Sequence, residues 1–283
     1  MSSSIGIILI TFSAAIVNGA LGYGFSSITV PLALFLVSNR VLNPALVAIE
    51  VVLNAYVLWV NRASAPAVAR RVLPVVGGLV PGVVIGTLVV ASVSPAWVKF
   101  GTYAALLPII LLQASGLRRP IRAERAAGPV FGLGLGTLYS VTTISGPPLA
   151  VALNNQGFTT QEFRAALGFV RLAESTLTAV AYGVAGLFAR DSLALVPRIA
   201  PSVLVGVPIG AALIRRVSPE TFRRVCMSFD AWIVGFGLSM MVRELRLVEG
   251  GAAFTILAIV IAVDGWLLYR YFGRPEGLRY ERR

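Results

Sequence analysis

Apolar stretches about as long as a bilayer is thick occupy most of this chain. They fall near residues 5–38, 41–61, 72–92, 97–115, 128–153, 164–187, 198–214, 222–242 and 251–271. A helix needs about 20 apolar residues to cross the hydrocarbon core. Of the 283 residues, 57% are hydrophobic and 13% charged, against about 25% charged in an ordinary soluble domain. The chain therefore reads as all-α, a polytopic integral membrane bundle.

A phrase occurs twice. Gly82-Val83-Val84-Ile85-Gly86, six residues, then Val93-Ser94-Pro95, returns as Gly206-Val207-Pro208-Ile209-Gly210, six residues, then Val217-Ser218-Pro219, 124 positions later. The same offset places Glu50 on Glu174 and Leu53 on Leu177. A duplicated hydrophobic unit with a carboxylate at matching depth in each copy is a transporter pattern. In both copies Ser-Pro reads as a helix start, with serine capping and proline in the first turn.

Two segments are interrupted. Segment 5–38 is too long for one straight span, and Gly19, Gly22, Gly24, Ser26, Ser27, Thr29 and Pro31 punctuate it. Segment 128–153 carries Gly132, Gly134, Gly136 and Ser145-Gly146-Pro147-Pro148. Pro31-Leu32-Ala33 matches Pro148-Leu149-Ala150 at offset 117, so the expectation is short helices over 31–36 and 148–153 that open at the prolines.

If each broken segment returns to its starting side, three spans complete each half and the second half is inverted. Seventeen arginines then face one side, among them Arg62, Arg70, Arg71, the Arg118–Arg125 cluster, Arg215, Arg216 and the five of the C-terminal tail. Six basic residues face the other. A single crossing by each broken segment removes that bias. The positive-inside rule thus favours two inverted repeats and a cytoplasmic C-terminus. The expected units are a first repeat (1–117), a basic cytoplasmic linker (118–127), a second repeat (128–246), and an extra C-terminal span with a basic tail (247–283). The N-terminal Met1-Ser2-Ser3-Ser4 lacks a basic stretch, so the first span reads as retained.

Backbone unwound at membrane depth must be buried in protein or line a watery cavity. Short helix starts meeting near the midplane would present backbone N–H groups and dipole ends to an anion. Ser26, Ser27, Thr29, Thr142, Thr143 and Ser145 add hydroxyls there, with Gly146, Pro31 and Pro148 shaping the breaks and Asn18 as a cavity polar group. Arg171 and Glu174 share a helix face. Arg171 suits two-pronged binding of an oxyanion, or else the two neutralise each other. Glu50 has no basic neighbour one turn away, which makes it the stronger proton-coupling candidate beside Glu174. Asp230 aligns with Leu106, Asp264 lies outside the duplication, and both read as packing or inter-helix hydrogen-bond residues.

With no histidine and one cysteine, Cys226, the chain offers no His/Cys metal site and no internal disulfide. No cofactor is expected. The net charge of +12 is explained by topology, and no nucleic-acid-binding pattern accompanies it.

Asn18-Gly19-Ala20-Leu21-Gly22-Tyr23-Gly24 with Pro31-Leu32, and Ser145-Gly146-Pro147-Pro148-Leu149, resemble the two signatures of the sulfite exporter TauE/SafE family. The resemblance covers nearly the whole chain. It implies secondary transport of small sulfur-containing anions, such as sulfite, sulfoacetate or other organosulfonates, with export favoured. Phe25-Ser26-Ser27 and Asn154-Asn155-Gln156-Gly157 depart from the pattern. The leading expectation is a proton-coupled carrier in a prokaryotic inner membrane, with alternating access of the two repeats. Its partners are the anion, protons and the lipid bilayer; homo-oligomerisation stays open. A passive anion channel, a carrier of another small organic anion and a membrane enzyme are the rivals.

Overall fold

The computed structural model describes residues 2–115, 124–154, 156, 158–214 and 219–273. The helices are α1 (Ser2–Leu21), α2 (Phe25–Ala33), α3 (Asn39–Val60), α4 (Ala65–Ser92), α5 (Pro95–Ala114), α6 (Glu124–Thr142), α7 (Gly146–Asn154), α8 (Thr160–Val184), α9 (Arg190–Leu213), α10 (Pro219–Glu244) and α11 (Thr255–Phe272). Among the described residues there is no strand. Six helices among the described residues are long and apolar enough to cross a membrane. The chain is an all-α, multi-pass membrane bundle.

Both interruptions are present, at places set by backbone conformation. The first lies at Gly22-Tyr23-Gly24, where Gly22 (φ 82°) and Gly24 (φ 108°) take left-handed values that favour glycine. The second lies at Thr143-Ile144-Ser145, where Thr143 takes φ 58°. Thr142 holds that turn: its hydroxyl donates to Leu138 O (2.7 Å) and accepts from Ile144 N (3.0 Å).

Two expectations need correction. Pro31 does not open its short helix. The helix begins six residues earlier at Phe25 and carries Pro31 inside, so the breaks correspond at offset 121 rather than 117. The released carbonyl of Pro31, at the helix's end, accepts the Tyr103 hydroxyl at 2.8 Å. Pro148 does sit in the first turn of α7, as its third residue. The glycines also divide into two jobs. Gly19, Gly132, Gly134 and Gly136 interrupt nothing; they lie within α1 and α6. A Cβ on Gly132 would fall 2.0 Å from Val75 O, and one on Gly19 would fall 2.0 Å from Val207 O.

Those contacts explain the duplicated phrase. Gly82 and Gly86 on α4 face Leu133, Thr137 and Ser140 on α6, and Gly206 and Gly210 on α9 face Phe12, Ala15, Ile16 and Ala20 on α1. Small residues four apart let two backbones approach closely where lipid supplies no hydrophobic drive. Each copy thus lends its glycine-bearing helix to the broken segment of the other. Increasing numbers on α4 meet increasing numbers on α6, and likewise α9 on α1, so these pairs run parallel.

The corresponding helices of the two copies run the other way. On α3 and α8, Glu50 meets Arg171, Asn54 meets Arg171 and Ser175, and Leu58 meets Gly168. On α5 and α10, Tyr103 meets Gly237, while Ile110 lies with Met227 at a shared cleft. Both pairs are antiparallel. α8 starts with a capping box in which the Thr159 and Glu162 side chains bond each other's backbone N–H. Outside the duplication, α11 is tied to α10 by Asp264, which accepts from Ser228 (3.1 Å) and Trp232 Nε1 (3.1 Å). The Arg118–Arg122 cluster, Arg215, Arg216, Ser218, Asn155, Gly157 and the last four tail arginines lie outside the described residues.

Candidate functional site

Glu50 is the twelfth residue of α3, about 17 Å from its start at ~1.5 Å per residue. It is fully buried and accepts three hydrogen bonds. Ser26, in the first turn of α2, donates to Oε1 at 2.6 Å, Tyr139 of α6 donates to Oε2 at 2.7 Å, and Arg171 Nη2 of α8 donates to Oε1 at 2.8 Å. The expectation of an unpaired Glu50 is therefore overturned. Its cation comes from the helix that corresponds to its own in the other copy, a partner that sequence neighbours cannot reveal. Arg171 ion-pairs with Glu50 across the helices.

Glu174 takes the matching place in the second copy. It is fully buried, and the Ser145 hydroxyl at the start of α7 donates to its Oε2. Its Oε1 has no hydrogen-bond partner, and neither has Arg171 Nε. So each broken segment docks the start of its short helix on a buried glutamate of its own copy, and one arginine lies between the two. The helix starts differ: α2 opens with Phe25-Ser26-Ser27 and their backbone N–H groups, whereas Pro147 and Pro148 leave Gly146 as the one N–H donor among the first three residues of α7.

The breaks touch. A Cβ on Gly146 would lie 3.1 Å from Tyr23 Cβ, so glycine permits this approach. Beside it is a cleft of about 20 Å³, lined by Tyr23, Gly24 and Ser27 of the first broken segment, Pro147 of the second, and Cys226 and Asp230 of α10, with apolar neighbours. That is room for about one water molecule.

The remaining sequence candidates sort by what their polar atoms do. Asn18 and Thr29 are buried, and Asn18 Oδ1 and Thr29 Oγ1 lack partners. Ser27 lines the cleft. Thr142 and Thr143 turn their hydroxyls onto Leu138 O and Thr142 O, so they maintain the break. Tyr139 and Asn43 were not singled out from sequence. Asn43 Nδ2 donates to Val141 O at 2.6 Å and fixes α3 against the second break. With the breaks aligned at offset 121, Tyr139 falls on Asn18; that alignment would have exposed it. Asp230, expected to pack or bond a helix, lines the cleft with Oδ1 unpartnered. Among the described residues no group of three or more His, Cys, Asp or Glu side chains is placed to hold a metal ion.

A comparison with known families matches residues 7–241 to the family described as Sulfite exporter TauE/SafE. The chain belongs to that family. Its members are membrane exporters of sulfite and related sulfur anions. No curated protein and no solved structure matches the chain.

Proposed function

We propose that this chain is a secondary active carrier of a small sulfur-containing anion, sulfite or an organosulfonate, coupled to protons and working by alternating access of two inverted repeats. Residues 1–117 and 128–246 are the repeats, and 247–283 is an addition. The antiparallel pairing of α3 with α8 and of α5 with α10, beside the exchanged parallel pairs, supports the inversion. The observation that carries the proposal is the Glu50–Arg171 pair at 2.8 Å, buried between the two repeats where the broken segments converge.

In this mechanism Glu50 and the substrate compete for Arg171. A carboxylate on Glu50 occupies the guanidinium. A proton on Glu50 releases it to an oxyanion, which Arg171 can hold through Nε and a terminal nitrogen. Ser26, Ser27 and the N–H groups of α2 complete the cradle, with Thr29 and Asn18 as nearby buried polar groups. Glu174 takes the second proton position because its Oε1 is free. Rocking of one repeat against the other carries the occupied site from face to face, and each face opens at one of the two breaks. A cleft of about 20 Å³ fits an occluded carrier better than an open pore. The family favours export from a prokaryotic cytoplasm across the inner membrane, with the C-terminus inside.

Flux through reconstituted proteoliposomes tests the proposal. A carrier saturates with sulfite or sulfoacetate, answers an imposed pH gradient, and loses that answer in Glu50→Gln. Unsaturable current without proton dependence identifies a channel. Chemical conversion of the anion, followed by mass spectrometry, identifies an enzyme.

A further inference from the structure

Asp230 is a charge that the duplication does not require. The corresponding position of the first copy is Leu106, so an apolar side chain satisfies the same place in α5. Asp230 is nonetheless 7% exposed, and its Oδ1 has no partner. A buried carboxylate oxygen without a partner is costly, and a proton relieves it. The side chain lines the cleft where the two breaks meet, together with Gly24 and Ser27 at the start of α2 and Pro147 of α7. The other titratable groups on that cleft are Tyr23 and Cys226. Asp264 on α11 is held by Ser228 and Trp232.

We propose that Asp230 is a proton-dependent charge filter: an anion passes the cleft, as rocking of the repeats widens it beyond its one-water size, only when Asp230 is protonated. The idea rests on the carrier reading above and adds a residue to it. The start of α2 attracts an anion through its free N–H groups. A charged carboxylate lining the same small cleft repels that anion, with little solvent between them to screen it. Adding one proton to Asp230 removes the repulsion; losing it closes the cleft to anions again. Each anion that enters therefore does so in company with a proton, before it reaches Arg171.

Thiosulfate is the probe, because its own charge stays constant over the pH range used, unlike that of sulfite. Its affinity for the purified, detergent-solubilised protein is measured by calorimetry at about pH 6 and about pH 8, for the native chain, Asp230→Asn and Asp230→Glu. Infrared difference spectra over the same range follow the C=O stretch of protonated carboxyl groups. The native affinity should weaken by about tenfold per pH unit once Asp230 ionises. Asp230→Asn should lose that component, retain the native affinity at the lower pH, and lack one titrating carboxyl band; Asp230→Glu should keep the pH dependence. A native-like pH dependence in Asp230→Asn, an unchanged set of carboxyl bands, or loss of binding at both pH values overturns the proposal and leaves the carrier reading standing. A native chain that binds neither thiosulfate nor sulfite at either pH overturns both.

Discussion

Glu50→Gln removes half of a buried ion pair, and its consequence can be worked from the contacts. The carboxylate accepts from Ser26, Tyr139 and Arg171 at 2.6–2.8 Å. Hydrogen bonds to a charged group contribute about 1.5–3 kcal/mol each. Glutamine keeps one acceptor oxygen, so part of that set survives, and the tyrosine hydroxyl can turn to accept from the new amide. The larger loss is electrostatic: Arg171 is 3% exposed and keeps its charge with no carboxylate facing it through Nη2. Breaking a buried pair from one side costs about 3–5 kcal/mol. Arg171→Met should cost less, about 2–4 kcal/mol, because Glu50 retains Ser26 and Tyr139 and can take up a proton. The double variant leaves no orphaned charge, so its cost should fall short of the sum by about 2–3 kcal/mol. Unfolding in mixed detergent micelles, read as a double-mutant cycle, measures that coupling. Single-variant losses that add to within about 0.5 kcal/mol would refute the claim that this pair joins the two copies.

Gly132→Leu and Gly210→Leu should each cost more than about 3 kcal/mol or prevent assembly, because a Cβ at these positions lies 2.0 Å from Val75 O and 1.9 Å from Ile16 O, backbone atoms that cannot turn aside. Gly134→Ala meets nothing within 4 Å and should be neutral or slightly stabilising, by up to ~1 kcal/mol; thermal unfolding compares the three. Arg171→Ala should abolish the rise in apparent stability that the native chain gains in a thermal-shift screen against sulfite, sulfoacetate, taurine, thiosulfate and non-sulfur carboxylates, and an unchanged shift would remove Arg171 from the site. Tyr103→Phe should cost about 1–2 kcal/mol in the same unfolding assay by stranding the Pro31 carbonyl.

Fold class and the existence of two breaks were legible from run length and glycine content, because bilayer thickness leaves few alternatives. The places of the breaks were less legible. Matching Pro-Leu-Ala triplets aligned side chains, whereas the break follows left-handed backbone at Gly22, Gly24 and Thr143, and a threonine gives no sequence cue for that conformation. Gly132 and Gly19 misled for a related reason: glycine serves both turns and close helix contacts, and only the four-residue spacing with its partner helix separates the two. The buried glutamates were legible as a matched pair at offset 124. Their partners were not, since hydrogen bonds spanning 24, 89 and 121 positions depend on how helices cross rather than on local spacing.

What the duplication leaves unequal deserves more weight than what it repeats. Glycine ridges and docked glutamates occur in both copies and satisfy packing twice over. Arg171 stands where the first copy has Val47, and Asp230 where it has Leu106. If the first copy carried its own Arg171, the centre would hold two cations against two carboxylates, with an anion site in each copy and neither dominant. One arginine between Glu50 and Glu174 instead gives a buried cluster of net charge −1 when both carboxyls are ionised. Low-dielectric surroundings favour neutrality, so on the proposed carrier mechanism the empty cluster keeps one proton, and we assign it to Glu174, whose Oε1 has no hydrogen-bond partner. A monovalent anion on Arg171 then demands a second proton, on Glu50. On the proposed carrier mechanism the single arginine thus pairs a monovalent anion with one proton taken up on Glu50, so that the two cross together and the cluster stays neutral throughout.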